Sequence, residues 1–316
     1  MDKDAGDSRI LLPNVEFYIT NVCNLTCSNC NRFNDYDFKG WQRWGDYADL
    51  HAQWSKKIRL QRITILGGEP LLNPTILDWV DGINQLWNKP VQILTNGTRL
   101  NAVPNLYDRI NQYGSSKPWL RHGTKNWIGV SLHNENDREH CFEEIKKFLK
   151  GNVKYVHIND PENVNNAYTY GAQHAFVDSN YMRVCVWEYT EFYNAAITRD
   201  KFGQLTLHNS NPSLAHKICG FARYKCFHFI RGQIYKCGPV ALFPEFDLQH
   251  PLAIGTEDRE LINSYRALNV NDSTEQISEF FNQHQPIPQC KFCPDNHSII
   301  KLMAVSKKVG ATSSYD

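Results

Sequence analysis

Between residues 14 and 187, short apolar runs alternate with stretches whose apolar residues recur at helical spacing. Runs rich in β-branched and aromatic residues at Val15–Thr20, Arg62–Leu66, Val91–Thr95, Trp127–Leu132, Val153–Ile158 and Arg183–Trp187 predict strands. Several are apolar on both faces, as buried parallel strands are. Between them, Gly45–Lys57, Pro74–Trp87, Leu100–Tyr113 and Asp137–Leu149 predict helices. In the second helix Ile76, Leu77, Val80, Ile83, Leu86 and Trp87 make one apolar face, with Asn73 expected as N-cap and Pro74 at the first helical position. This alternation predicts an α/β fold with a parallel sheet and right-handed crossovers, open or barrel-like. Chemistry is then expected at the C-terminal ends of the strands.

After about residue 200 the pattern changes. Lys225–Ile230 and Gln233–Lys236 flank Arg231–Gly232 as a β-hairpin would. Thr256–Leu268 and Ser273–Gln283 read as helices, and Pro286–Pro294 as a loop holding Cys290 and Cys293. The expected organisation is a flexible N-terminus over 1–13, a first domain over 14–200, a second over 201–306 and a flexible tail over 307–316.

Charge changes the picture of partners more than of fold. The 316 residues carry 34 basic and 33 acidic side chains, a net charge of +1, without the basic excess that holding a nucleic-acid backbone asks for. There is no secretory signal, and no run approaches the roughly 20 apolar residues that span a bilayer, so a cytoplasmic protein without a membrane partner is expected. In a reducing compartment, ten closely spaced cysteines read as metal or redox chemistry rather than disulfides. Cys23, Cys27 and Cys30 form one group, and Cys219, Cys226, Cys237, Cys290 and Cys293 a second. Cys141 and Cys185 stand apart and are expected to be small hydrophobes.

Cys23, Cys27 and Cys30 are spaced C-x3-C-x2-C directly after a predicted strand. Three thiolates this close suit a soft metal or an iron–sulfur cluster. A structural zinc wants a fourth ligand, and the next histidine is His51. A [4Fe–4S] cube on three cysteines leaves one iron open. Cys23-Asn-Leu-Thr-Cys27-Ser-Asn-Cys30 resembles the signature of the radical S-adenosylmethionine superfamily. Leu66-Gly67-Gly68-Glu69-Pro70 resembles its GGE motif, and Leu94-Thr95-Asn96-Gly97 another recurrent element, a resemblance covering roughly residues 14 to 190.

The resemblance implies a partial (β/α)6 TIM-like barrel, a [4Fe–4S] cluster on Cys23, Cys27 and Cys30, and S-adenosyl-L-methionine chelated to the open iron. Reductive cleavage would give methionine and a 5′-deoxyadenosyl radical that takes a hydrogen atom from the substrate. By the same resemblance Gly67, Gly68, Glu69, Pro70, Thr95 and Asn96 bind the cofactor, as do Ser131 and His133 past the fourth strand. The missing Cβ atoms of Gly67 and Gly68 are expected to let the main chain approach the ligand. Phe17 and Tyr18 are expected to pack the sheet rather than touch adenine.

Cys219, Gly232, Cys237 and the pair Cys290-x2-Cys293 resemble the twitch domain, a shortened relative of the SPASM domain. That resemblance implies a small C-terminal α+β iron–sulfur domain with one auxiliary [4Fe–4S] cluster, two clusters in all. The C-x2-C-x5-C-x3-C run of the full SPASM pattern is missing after Cys290. Cys226 is an alternative ligand to Cys219, and structural zinc an alternative occupant of four thiolates.

The substrate is less legible, and no catalytic side chain is singled out. Asn159, Asp160, Glu188, Tyr189 and Glu191 are expected near the open end of the sheet as acid–base or anchoring groups. Many peptide-modifying members carry a leader-binding domain before the cluster, whereas 22 residues precede Cys23. The expectation is therefore a small metabolite, such as a sugar, alcohol or nucleotide-like compound, with oxidation through the auxiliary cluster. A flavodoxin or ferredoxin is the implied electron donor. Peptide modification is one alternative. Nucleic-acid modification is another, resting on Lys117, Arg121, His122 and Lys125 interleaved with Trp119 and Trp127. A non-enzymatic iron–sulfur electron carrier is the third, and the GGEP element disfavours it.

Overall fold

The computed structural model describes residues 7–113, 126–157, 172–189, 191–193, 196–296, 299–301 and 304–306. The chain begins with β1 (Ile10–Tyr18) and β2 (Leu25–Cys27), then α1 (Trp44–Lys57), β3 (Ile58–Leu66), α2 (Ile76–Trp87), β4 (Val91–Thr95) and α3 (Leu106–Asn111). It continues through β5 (Trp127–Leu132), α4 (Arg138–Phe148), β6 (Lys154–His157), β7 (His174–Val177), β8 (Arg183–Glu188) and β9 (Glu191–Tyr193). Next come β10 (Ile197–Arg199), β11 (Leu205–Leu207), α5 (Pro212–Ile218), α6 (Gly220–Arg223), β12 (Cys226–Ile230) and β13 (Gln233–Tyr235). The last elements are α7 (Gly238–Gln249), α8 (Thr256–Asn263), α9 (Thr274–Asn282), β14 (Ile299–Lys301) and β15 (Ala304–Ser306).

Nine strands form one sheet in the order β13-β12-β1-β3-β4-β5-β8-β7-β6. The run from β12 to β8 is parallel throughout, and the pairs β8-β7, β7-β6 and β12-β13 are antiparallel. This is the expected α/β class with a parallel sheet, and the described strands do not close into a barrel. Two details differ from expectation. The strand after α4 is not the next parallel neighbour of β5: β6 lies at the far edge, and β8 takes the place beside β5. The hairpin from beyond residue 200 joins this same sheet, with β12 running parallel to β1.

Side chains alternate across the parallel strands. Phe17, Ile63, Ile65, Ile93, Ile128, Val130, Val184, Val186 and Phe229 face the helices and form the main core with Trp54, Trp79, Trp87 and Ile145. Phe17 stacks on Phe229 at 4.8 Å, which fulfils its expected packing role. On the other face Tyr18, Leu66 and Ile230 meet Phe33, Leu242, Phe243, Phe246 and Phe292 in a second core. The segment after β13 thus folds back over the face of the sheet opposite the helices. Each fully buried large apolar side chain contributes about 1.5–3 kcal/mol.

Several local readings need correction. Asn73 does not cap α2, which starts one residue past Thr75; instead its Oδ1 accepts from Thr75 N at 2.8 Å, an Asx turn that sets up the helix. The stretch expected to be helical over Leu100–Tyr113 is helix only over Leu106–Asn111, because Pro104 cannot sit inside a helix begun at Leu100. Thr256–Leu268 shortens to Thr256–Asn263, and Pro288–Phe292 is a turn of 3-10 helix inside the expected loop. Ser273 caps α9 with a complete capping box to Gln276. Cys141 and Cys185 are buried, and burial pushes their thiols up to about 12 and about 11, as inert apolar cysteines require.

Candidate active site at the strand ends

Three loops meet at the C-terminal edge of β1, β3 and β4. Parallel pairing of β1 with β3 continues beyond both strands. Ile19 N donates to Leu66 O at 2.9 Å, Gly68 N to Thr20 O at 2.7 Å and Glu69 N to Val22 O at 2.8 Å. The loop carrying Cys23 is therefore zipped onto the loop carrying Gly67 and Gly68. A Cβ on Gly67 would lie 2.5 Å from Thr20 O, and one on Gly68 would collide with Val22 O and lie 2.7 Å from Asn34 Oδ1. The two glycines are needed for this chain-to-chain approach. To the expected approach of this main chain to a ligand the structure adds a second role: the missing Cβ atoms make room for the cysteine loop.

Glu69 is wholly buried. Its Oε1 accepts from Leu71 N at 3.0 Å and Thr95 Oγ1 at 2.6 Å, and its Oε2 from Asn96 N at 2.7 Å. Burial pushes the carboxyl up to about 7, against the pull of those three donors. Asn96 passes the connection on, donating to Asn24 Oδ1 at 2.9 Å and toward Cys23 Sγ at 3.9 Å. A chain of hydrogen bonds thus runs from the end of β4 through Glu69 and Asn96 to the first cysteine. Pro70 is buried and opens a short 3-10 turn that Glu69 caps.

The three thiols lie together: Leu25 and Cys27 are buried, with Cys23 and Cys30 packed against them. Leu25 N donates to Cys23 Sγ at 3.4 Å, and Asn34 Nδ2 points at Cys30 Sγ from 3.8 Å. Burial raises the Cys30 thiol, and donors from Asn34 and Arg32 pull it back down. Such donors to sulfur are what a thiolate or a cluster ligand asks of its surroundings. Ser131 is half-buried on β5 in register with Trp187. His133 lies beside the Tyr189 ring, 6.3 Å between centroids, and burial pushes its imidazole down to about 4.

In the second group, Cys237 is pushed up to about 12 by burial and by the neighbouring Cys219 and Cys290. Cys293 is raised by burial and by Cys237, Cys219 and Cys290 together. These four thiols are within electrostatic reach of one another. Cys226 behaves differently: burial and the Glu16 carboxylate it bonds to are what chiefly raise it. A cavity of about 170 Å³ is lined by Cys219, Cys237 and Cys290 together with Cys226, Lys236 and His216. Among the described residues no three His, Cys, Asp or Glu side chains converge tightly enough for one metal ion. A cubane takes one thiolate at each iron and so accepts wider spacing, and four half-buried thiols within electrostatic reach of one another fit it chemically.

Of the expected substrate-facing groups, Glu188 is engaged within the sheet. Arg138 Nε donates to its Oε1 at 2.5 Å, and His174 Nε2 lies 3.1 Å from the same oxygen. Tyr189 N donates to Leu132 O at 2.9 Å, and its ring is exposed. Asn159, Asp160, the Lys117–Lys125 basic stretch, the side chain of Glu191 and the tail after Lys307 lie outside the described residues. The sequence reading missed a buried group on the sheet face opposite the helices: Glu16, His228 and Arg32. Its signal was the period-2 alternation of β1 and β12, which puts Glu16 and His228 opposite each other in register. No helix among the described residues is long and apolar enough to cross a membrane.

A family model described as the Radical SAM superfamily matches residues 17–158. The chain is 29% identical over 134 residues to a probable GTP 3′,8-cyclase of Methanocaldococcus jannaschii, a match covering 36% of this chain and 45% of that protein. It is 27% identical over 149 residues to an S-adenosylmethionine-dependent nucleotide dehydratase of a Fibrobacter species, covering 43% of this chain and 42% of that protein. The chain thus spans less than half the length of these two relatives. The solved structure of Streptococcus suis SuiB bound to S-adenosylmethionine aligns over 89% of this chain and 68% of that one, at 13% identity and a TM-score of 0.39.

Proposed function

From the premise that residues 17–158 are a radical S-adenosylmethionine domain, we propose that this chain is an enzyme that cleaves S-adenosylmethionine reductively and removes a hydrogen atom from a small, nucleotide-like metabolite. The observation that carries the reading is the knitting of three strand-end loops around three thiols: Cys23, Cys27 and Cys30 are fastened through Val22 to Glu69 and through Asn96 to β4. When bound, the cluster and S-adenosylmethionine supply a one-electron cleavage to methionine and a 5′-deoxyadenosyl radical, which takes the substrate hydrogen.

In this reading Cys23, Cys27 and Cys30 hold the first [4Fe–4S] cluster. Thr95, Asn96, Ser131 and His133 border the cofactor, and buried Glu69 acts by fixing Thr95 and Asn96. His133, with its imidazole held low, is neutral at pH 7 and offers a lone pair rather than a charge. Cys219, Cys237, Cys290 and Cys293 would hold an auxiliary [4Fe–4S] cluster, which would supply an acceptor for the electron left on the substrate. Their mutual coupling supports that set, and the bond of Cys226 to Glu16 supports leaving Cys226 out of it. A flavodoxin or ferredoxin supplies the electron for cleavage. The nucleotide-like substrate is supported by the two relatives, a probable GTP 3′,8-cyclase and a nucleotide dehydratase.

The test is anaerobic reconstitution, reduction and assay for 5′-deoxyadenosine, with Cys23→Ala alongside. Formation by the wild type and its loss in the variant is the expected result. Cleavage retained by Cys23→Ala overturns the assignment. Deuterium transfer into 5′-deoxyadenosine from labelled nucleoside phosphates then tests the substrate class.

A further inference from the structure

Arg32 lies two residues past Cys30 and is 7% exposed. Its guanidinium sits over the rings of Phe221 at 5.3 Å and Tyr18 at 5.8 Å. Nη2 donates to Glu16 Oε2 at 2.7 Å and stands 2.9 Å from His228 Nε2, while Glu16 and His228 meet at 2.6 Å. One arm of the guanidinium is thus fixed. The other is not: Nη1 is buried and has no hydrogen-bond partner among the described residues. A buried donor left without an acceptor costs about 1–3 kcal/mol.

Nη1 is aimed at Gly238. A Cβ there would overlap it and lie 3.0 Å from Cζ, so only glycine leaves room for the guanidinium. Gly238 opens the twelve-residue α7 directly after Cys237. A cation at that end meets the positive pole of the helix, an unfavourable placement unless negative charge lies between them. A cubane on four thiolates is anionic and presents sulfur acceptors. The reduction potential of such a cluster rises with nearby positive charge and with hydrogen bonds to its sulfurs.

We propose that Arg32 donates from Nη1 to the Cys237 side of the auxiliary cluster, fastening the first cysteine loop to the second cluster and raising the reduction potential of the latter. This rests on the reading of Cys219, Cys237, Cys290 and Cys293 given above. Arg32 is then a positioning residue for electron transfer, and no substrate contact is assigned to it.

The test uses the full chain carrying Cys23→Ala, Cys27→Ala and Cys30→Ala, reconstituted anaerobically so that only the second cluster gives an EPR signal. Adding Arg32→Gln is expected to move the midpoint in an EPR-monitored redox titration to a more negative potential, with iron per chain unchanged. Gly238→Ala is a second route. Its backbone is not in the left-handed region, so the main chain accepts alanine, and the methyl then pushes Nη1 aside while the charge remains. It should move the midpoint in the same direction, and it carries the test if Arg32→Gln does not fold. Midpoints and line shapes unmoved in the folded variants overturn the proposal. A parent protein with no iron–sulfur signal overturns the auxiliary-cluster reading, and the role of Arg32 with it, so the two failures are told apart.

Discussion

Gly68→Ala should cost the protein its first cluster site while leaving the second. The new Cβ would lie 2.7 Å from Asn34 Oδ1 and closer still to Val22 O, against the 3.5–4.0 Å of a relaxed contact, so the loop must retreat by about 1 Å. Overpacking of this kind costs about 1–3 kcal/mol. The retreat also strains the bonds from Gly68 N to Thr20 O and Glu69 N to Val22 O, worth about 1 kcal/mol each. A total of about 2–4 kcal/mol predicts a Tm lower by roughly 3–6 °C for a chain of this size. On the proposed reading of two clusters, iron after reconstitution should fall from about eight to about four per chain, because Cys23, Cys27 and Cys30 no longer pack together. Gly45→Ala is the control. No atom lies within 4 Å of its added Cβ, and alanine favours α1 by under about 1 kcal/mol. Wild-type Tm and iron content in Gly68→Ala would refute the claim that the glycine exists to let the two loops touch.

Two further predictions follow from buried titratable groups. His51 is enclosed by Phe17, Trp44, Trp79 and Phe229, and burial holds its imidazole down to about 3 against 6.5 when unfolded. The unfolded chain therefore binds the proton first and stability falls as pH drops below 6.5, by about 2 kcal/mol between pH 7 and pH 5 from this group. His51→Phe should remove that share from the difference between urea titrations at the two pH values, and an unchanged difference would sink the assignment. Glu69→Gln must turn an amide NH2 toward Leu71 N and Thr95 Oγ1 or toward Asn96 N, all of which donate to Glu69. It should lose about 2–3 kcal/mol in urea unfolding and bind S-adenosylmethionine more weakly by calorimetry, whereas wild-type values in both would show that the carboxylate organises nothing.

What the sequence disclosed and what it withheld divide along the range of the contacts. Val91–Thr95 and Trp127–Leu132 match their strands residue for residue, because their β-branched runs are bounded by loops on both sides. Arg183–Trp187 was also legible as a strand, one residue short of Arg183–Glu188. Its place beside β5 was not, since His174–Val177 intervenes as a reversed partner and carries no alternation to announce it. The twelve residues of α7 escaped a periodic reading altogether. Pro244 argues against a helix, and the apolar residues Leu242, Phe243 and Phe246 serve a core formed by the cysteine loop and the strand ends. The loop-packing role of Gly67 and Gly68 was likewise invisible, because the atoms that exclude a Cβ belong to a loop some 45 residues earlier.

That long-range packing makes the two cysteine groups one construction rather than two. They lie almost two hundred residues apart in the chain, yet β12, which follows Cys219 and begins at Cys226, pairs in parallel with β1, which ends just before Cys23. Contacts beside the pairing hold the same approach. Asn21 Nδ2 reaches Glu245 Oε1 of α7 at 2.9 Å, Gln249 Oε1 accepts from Lys39 N at 2.9 Å, and Asn14 Nδ2 reaches Tyr224 O at 2.6 Å. The first two tie the residues flanking the first cysteine loop, and the third ties β1, to the segment between Cys219 and the end of α7. A change that loosens β12 from β1 should therefore disturb both thiol groups, whereas two domains joined by a linker would respond separately. The buried Glu16–His228 pair spans that seam at 2.6 Å, which makes it the most sensitive place to cut. Glu16→Leu would leave Arg32 a buried charge without its carboxylate, a loss of about 3–5 kcal/mol. Iron at both sites should fall together in that variant; iron lost from one site alone would mean that the seam does not couple them.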